Sequence, residues 1–410
     1  MKYHKKQITD LDLANQVVLV RLDLNVPMKQ GQVVDHTRIV QSLPTLQYLI
    51  KNNCKIIVLS HLSRIKSLKD KTGGEKSLAP VAKVLDQMLD TPVLFCSENT
   101  GDRVIQAVKQ LKPKEILVLE NTRYQDVNDQ GEIVKLESKN DSKLAQFWAS
   151  LATVFINDAF GTAHRSHASN VGIATYLKNS AIGFLIDQEL VNLAKACDQY
   201  TKPLIAVLGG SKISDKLKVI NQIAKKADKV LIGGGMAYTF KKAQGYDVGD
   251  SLIEESMIES CHQMLEQWKD KLVLPTDAVV NAEFADLPGR IVKYQKDVNL
   301  WNNDIGLDIG PETIANFCAI LDSAKTVVWN GPVGVFEFSN YQTGTRAIAN
   351  KMQEITKNNA FTLIGGGDSA SAYQQFNQGQ GVSFISTGGG ASLAYMEGQD
   401  LLGISVIANK

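Results

Sequence analysis

The stretch 362–371, TLIGGGDSAS, is an apolar, β-branched run that ends in three glycines and continues into an aspartate and a serine. It reads as a strand, a turn without side chains and the first turn of a helix. Such a junction exposes free backbone N–H groups and the positive end of the helix dipole, which suits an anion, most often a phosphate. Glycine lets the ligand come close to the backbone. Three other runs in the second half end the same way: PLIAVLGGSK (203–212), KVLIGGGMA (229–237) and VSFISTGGGAS (382–392). A single run could be a glycine-capped turn and nothing more, but four in one half point to a ligand held by backbone.

The first half has strands of the same kind with different ends. QVVLVRLDLN (16–25), KIIVLSHLSR (55–64), EILVLENTRY (115–124) and ATVFINDAFG (152–161) run into Asp23 and Asn25, His61 and Arg64, Arg123, and then Asp158, His164 and Arg165. Runs such as KIIVLS are apolar throughout instead of alternating, the pattern of a parallel strand covered on both faces. Strands alternating with longer helical patterns predict α/β architecture with parallel sheets. At 410 residues the chain is too long for one core and should form two domains. Ligands of open α/β sheets sit beyond the carboxyl ends of the strands. One domain should therefore grip a small polar ligand with side chains, and the other should hold a ligand through backbone N–H groups. Between them, FLIDQELVNLAKACDQYTKP (184–203) places Leu190, Leu193, Ala194 and Cys197 on one helical face, predicting a joining helix that ends near Pro203.

Composition excludes several classes. The formal charge of +1 gives no push toward nucleic acid or an anionic membrane. No apolar run reaches membrane-spanning length, the first ten residues carry no apolar signal core, and the five cysteines form no CxxC pair. A cytoplasmic enzyme is the expectation.

The phosphate chemistry narrows further. No GxxxxGK[ST] is present, so a P-loop is excluded. Gly365, Gly367 and Ala370 fit a GxGxxA dinucleotide fingerprint, but the next strand, VSFIST, ends in Ser386 and Thr387 where that reading needs a carboxylate. Asp368 beside bound phosphates would repel them unless a cation such as Mg²⁺ intervenes; alternatively it caps the helix. Lys212 and Lys216, four residues apart, are expected on one helical face, and they either meet a phosphoryl group or form a solvated face. In WNGPVGVFE (329–337), Glu337 either binds ribose hydroxyls or caps a helix.

Arginine is scarce, eight against 36 lysines, and six of the eight lie at or before residue 165. Arg21, Arg38, Arg64, Arg123 and Arg165 fall in the strand-end motifs, with His61, His164 and His167 beside them. Arginine binds carboxylate and phosphate bidentately, so the collection suggests a small, highly anionic ligand. HRSH (164–167) lacks a third ligand at zinc spacing.

Taken in order, VRLDLNVP, DHTRI, SHLSR, LENTRY, NDAFGTAHRSHAS, LGGSKISDK, IGGGMAYTF, DIGP, WNGPVGVFE, GGGDS and STGGGASL resemble the motif series of phosphoglycerate kinases, from about residue 17 to the C-terminus. The resemblance implies two Rossmann-like, doubly wound α/β domains whose mainly parallel sheets face each other across a hinged cleft. It implies reversible phosphoryl transfer from 1,3-bisphosphoglycerate to ADP, giving 3-phosphoglycerate and ATP, with Mg²⁺ on the nucleotide and a monomeric chain. The implied organisation is a 3-phosphoglycerate domain over 1–185, an interdomain helix over 186–202, a Mg-nucleotide domain over 203–395 and a segment, 396–410, that returns to the first domain.

Carried over residue by residue, the resemblance implies that Asp23, Asn25, Arg38, His61, Leu62, Ser63, Arg64, Arg123, His164, Arg165 and His167 hold the glycerate. Arg38, Lys212, Gly366 and Gly367 would act on the transferring phosphoryl group. Lys212, Lys216, Gly235, Gly306, Leu307, Asn330, Glu337, Gly366, Gly367, Asp368 and Ser369 would hold the nucleotide, with Asp368 on the metal. Departures from the family pattern are Ser63 for Gly, Ile65 for Pro, Ser211 for Ala, Ala394 for an acid and Leu402 for Pro. The first two predict an altered loop around His61 and Arg64. The same scaffold used only to bind a partner is the competing reading, and intact Arg38, Lys212 and Asp368 argue against it.

Overall fold

The computed structural model describes residues 3–296 and 301–410. It forms two compact units, Met1–Val191 together with Asp400–Lys410, and Asn192–Gln399.

The first unit is built on strands β1 (Val17–Leu22), β2 (Lys55–Leu59), β3 (Val93–Cys96), β4 (Ile116–Leu119), β5 (Val154–Asp158) and β6 (Ser180–Ile182), in the order β3-β4-β2-β1-β5-β6. All five pairings are parallel. Every apolar residue of β2, Ile56 to Leu59, is fully buried, as expected of a strand covered on both faces. From β1 the chain first builds toward β3 and then crosses to β5 and β6. The order therefore switches between β1 and β5, the kind of position beyond whose strand ends open α/β sheets bind ligands. Because the strands are parallel, Asp23, His61, Arg123 and the 159–167 turn leave the sheet at this one edge.

The second unit contains β7 (Leu204–Leu208), β8 (Lys229–Ile232), β9 (Leu272–Val273), β10 (Asp277–Asn281), β11 (Arg290–Lys293), β12 (Ile305–Ile309), β13 (Thr326–Asn330), β14 (Phe361–Gly365) and β15 (Phe384–Ile385). Its main sheet is parallel, in the order β9-β8-β7-β13-β14-β15, and its switch lies between β7 and β13. Glycine turns follow β7, β8, β13 and β14 at the same edge. A separate antiparallel sheet, β11-β10-β12, covers a small core of Tyr238, Val248, Ala278, Val280, Val292 and Trp301.

Several elements differ from the sequence reading. Strand β3 was not expected: it lies at the sheet edge, and exposed Leu94 breaks the apolar run. The antiparallel sheet was also missed, because its strands are short and open on one face. The joining helix spans Phe184–Cys197 and stops five residues short of 202, although Leu190, Leu193, Ala194 and Cys197 are buried as its face pattern requires. Lys212 and Lys216 do not share a helical face. Both precede the helix, which begins at Leu217, and only Lys216 lies in the turn that leads into it.

Residues 400–410 are tied to the start of the chain. Tyr3 donates to Asp400 at 3.0 Å, Lys5 Nζ reaches the carbonyls of Ser405 and Ile407, and Asn157 Nδ2 donates to the Gly403 carbonyl at 2.7 Å.

Candidate functional site

At the carboxyl edge of the first sheet the basic side chains converge. Arg38 pairs with Asp23, whose side chain is almost completely buried. Asn25 Oδ1 accepts the backbone N–H of Ser63 at 2.7 Å, joining the loops after β1 and β2. Asn121 accepts the N–H groups of Leu62 and Arg123 and returns a hydrogen bond to the Leu62 carbonyl, so one amide orders both loops. Leu62 itself is fully buried and offers no side chain to a ligand. Arg123 donates to Ser138 Oγ at 3.1 Å and faces Asp126 at 3.7 Å. Arg64 and Arg165 are exposed.

Electrostatics confirm that these groups share one place. Burial lowers the His61 pKa well below the ordinary 6.5, and Arg21, Arg123, Arg38 and Arg165 lower it further. Burial and Arg165 bring His164 down to about 4. Burial, then Arg123, Arg21, His61 and Arg165, bring His167 to about 2. Arg165 is lowered by burial and then by Arg123 and Arg64. All three histidines are therefore neutral near pH 7. Among the described residues, Arg123 Nε, His164 Nδ1 and His167 Nδ1 are buried without a hydrogen-bond partner. Positive charges gathered this closely, with the Arg123 Nε donor unspent, suit an anion.

At the carboxyl edge of the second sheet the backbone takes over. The Gly209 N–H donates to Asn330 O and the Gly210 N–H to Pro332 O, both at 3.0 Å, joining the turns after β7 and β13. A Cβ on Gly209 would drive into the Pro332 carbonyl. Gly366 caps the helix Gly367–Asn377 with φ +93°, a conformation that only glycine adopts readily, and a Cβ there would lie 3.1 Å from Asn330 Nδ2. Lys216 donates to Asn330 Oδ1. Burial lowers the Lys216 pKa, opposed by Asp215, Asp368 and Glu397, which puts Asp368 within its field.

Asp368 is exposed in the first helical turn and is not the cap. Ser369 is fully buried, and its Oγ accepts the Gly331 N–H at 2.5 Å, fastening the helix start to the turn after β13. Gly367 is exposed with open space where a Cβ would stand. Gly235 caps the helix Met236–Ala243, and Gly306 packs against the ring of Tyr238 on that helix. Leu307 is buried, and its carbonyl accepts the Val335 N–H at 2.8 Å. Glu337 is exposed and caps no helix; Lys212 is exposed without a hydrogen bond or ion pair among the described residues.

The sequence reading omitted Asn121, which orders two loops, and Glu137, a fully buried acid behind the basic cluster. The LEN of LENTRY was the available signal for Asn121. Glu137 sits in a polar stretch that reads as solvated.

The phosphoglycerate kinase family model matches residues 8–399. Over 409 residues the chain is 54% identical to a phosphoglycerate kinase of Mycoplasma pneumoniae, covering 99% of each chain. It is 49% identical over 408 residues to one from Lactobacillus delbrueckii, covering 98% of this chain and 99% of that one. The fold is similar to the solved structure of phosphoglycerate kinase from Coxiella burnetii, with a TM-score of 0.84 and 36% identity over 98% of both chains. It is also similar to that from Pyrococcus horikoshii, with a TM-score of 0.80 and 30% identity over 98% of both chains. A basic receptor, a glycine-built phosphate edge and these likenesses lead to one conclusion: the chain belongs to the phosphoglycerate kinase family, which transfers phosphate reversibly between 1,3-bisphosphoglycerate and ADP.

Proposed function

We propose that the two sheet edges divide the substrates of this reaction. The basic cluster of the first unit takes 3-phosphoglycerate or 1,3-bisphosphoglycerate. Arg64, Arg123 and Arg165 bind its carboxylate and phosphate, the three neutral histidines supply further ring nitrogens, and Asp23, Asn25, Leu62 and Ser63 shape the loop that receives it. The observation that carries this reading is the gathering of four arginines, Arg21, Arg38, Arg123 and Arg165, around His61, with the buried Arg123 Nε left without a partner.

The glycine edge of the second unit takes the nucleotide. Gly366, Gly367 and Ser369 offer the start of their helix to phosphates, with Lys216 and Asn330 beside them. Gly235, Gly306 and Leu307 line the base, and Glu337 takes the ribose. Asp368 is an exposed carboxylate at this helix start, and among the described residues no cluster of three or more potential metal ligands exists. One carboxylate with nucleotide phosphates and water completing the shell is the usual arrangement for Mg²⁺, so the donor set fits. When bound, the ion neutralises phosphate charge.

The nucleophile in either direction is an oxygen already ionised, so the chain needs no general base, and positioning with charge stabilisation carries the catalysis. Arg38 and Lys212 stabilise the transferring group, aided by the N–H groups of Gly366 and Gly367. The near-neutral formal charge favours small-molecule substrates over nucleic acid or membrane, and among the described residues no helix is long and apolar enough to cross a bilayer. We place the enzyme in the cytoplasm as a monomer.

Separate calorimetric titrations with 3-phosphoglycerate and Mg-ATP test the division. Arg123→Gln should weaken the first by about 10-fold or more and leave the second within about twofold. Asp368→Ala should do the reverse. Loss of Mg-ATP binding in Arg123→Gln with 3-phosphoglycerate retained would overturn it.

A further inference from the structure

Behind His61 runs a polar chain without solvent contact. Glu137, Ser169 and Arg21 are each fully buried. Glu137 accepts from Ser169 twice, at 3.0 Å from the backbone N–H and at 2.5 Å from the hydroxyl. The serine has one hydroxyl proton, so its Oγ then has only lone pairs to offer Arg21, whose Nε donates to it at 2.8 Å. The guanidinium also donates to the Leu22 carbonyl and directs Nη2 at His61 Nδ1, 3.1 Å away.

The direction of the bond that reaches His61 is forced, because a guanidinium only donates. Nδ1 of His61 must therefore carry the lone pair, and the proton of the neutral ring sits on Nε2. The opposite tautomer would set two N–H donors, Arg21 Nη2 and His61 Nδ1, against each other.

We propose that Glu137 is a positioning residue for the first substrate: through Ser169 it fixes Arg21, and Arg21 holds His61 as the Nε2–H tautomer, a donor to the anionic ligand. The inference rests on the assignment of the basic cluster to phosphoglycerate. A buried acid–arginine pair that serves only stability is often replaceable by apolar groups with little consequence. It would also have no reason to end on one nitrogen of a histidine.

The test is ¹⁵N spectroscopy of the six histidine rings in the full chain, without ligand and with 3-phosphoglycerate, paired with steady-state kinetics. In the wild type His61 should be protonated on Nε2 alone. Glu137→Gln and Ser169→Ala should each give a tautomer mixture and raise KM for 3-phosphoglycerate by about 10-fold, the usual scale for removing an orienting partner. kcat and KM for Mg-ATP should stay within about twofold, which also certifies the fold. Ser169→Thr keeps the hydroxyl and should restore both readouts, so the test survives if Glu137→Gln does not fold. His61 remaining purely Nε2–H in Ser169→Ala, or protonated on Nδ1 in the wild type, would overturn the proposal. If 3-phosphoglycerate leaves the wild-type His61 signals unmoved, the substrate assignment falls and takes the proposed ligand with it, whatever the tautomer.

Discussion

The backbone N–H of Ser63 donates to Asn25 Oδ1 at 2.7 Å while Ser63 itself holds φ +59°. A serine thus occupies a left-handed position where the resembling family has glycine, and the loop after β2 is closed onto the loop after β1 at a cost. Left-handed backbone costs a non-glycine residue about 1–2 kcal/mol, part of which glycine gives back as extra freedom in the unfolded chain. Ser63→Gly should therefore stabilise the first unit by about 0.5–1 kcal/mol in denaturant unfolding. It should also tighten 3-phosphoglycerate by up to about fivefold, the equilibrium equivalent of the upper end of that range. Unchanged affinity would separate this loop from substrate binding.

Ile65, the second departure in that loop, is buried against Tyr124 and Val127 in a small cluster of its own. It anchors the far side of the loop that carries His61 and Arg64. Ile65→Ala should cost about 2–3 kcal/mol of stability in the first unit. A loss under about 0.5 kcal/mol, as for an ordinary surface change, would show that the cluster does not hold the loop.

Arg38 is one-third exposed at its side chain and pairs with nearly buried Asp23. Its charge is assigned to the transition state, so Arg38→Ala should lower kcat by about 10²–10³-fold. Mg-ATP affinity, measured by calorimetry, should stay within about twofold. A parallel fall of affinity and rate would mean that Arg38 binds the ground state.

Lys241 poses a stability question. It is only 6% exposed, and its ammonium lies 4.8 Å and 4.6 Å from the ring centroids of Tyr246 and Tyr294, with no side-chain hydrogen bond or ion pair among the described residues. Burial lowers its pKa from 10.5 to about 8. Between these two values the unfolded chain binds the extra proton, so stability rises with pH across that window and the full penalty applies below pH 8. A shift of this size corresponds to about 3 kcal/mol, and the cation–π contacts return part of it. Lys241→Met should raise the melting temperature of the second unit at pH 7, by the equivalent of about 2 kcal/mol, and the gain should shrink toward pH 10. A gain independent of pH would point to packing instead of charge.

The sequence made the parallel sheets legible because buried parallel strands are apolar on both faces, as Ile56 to Leu59 are. It made candidate site residues such as Asp23, His61 and Arg123 legible because they follow those strands at one edge. It misread Lys212 and Lys216 because four-residue spacing says nothing about where a helix begins, and this one begins at Leu217. It left Asp368 undecided between cap and ligand; the structure gives the cap to Gly366. Glu137 and Lys241 stayed hidden for a common reason: charged residues in polar stretches read as solvated, and only the tertiary fold buries them.

A coupled assay tests the central claim most directly: the purified chain is supplied with 3-phosphoglycerate, ATP and Mg²⁺, and the bisphosphoglycerate formed is consumed by glyceraldehyde-3-phosphate dehydrogenase with loss of NADH. Rapid loss that needs all three ingredients is expected. A folded protein that binds both substrates and consumes no NADH would contradict the account, leaving two receptors without the transfer between them.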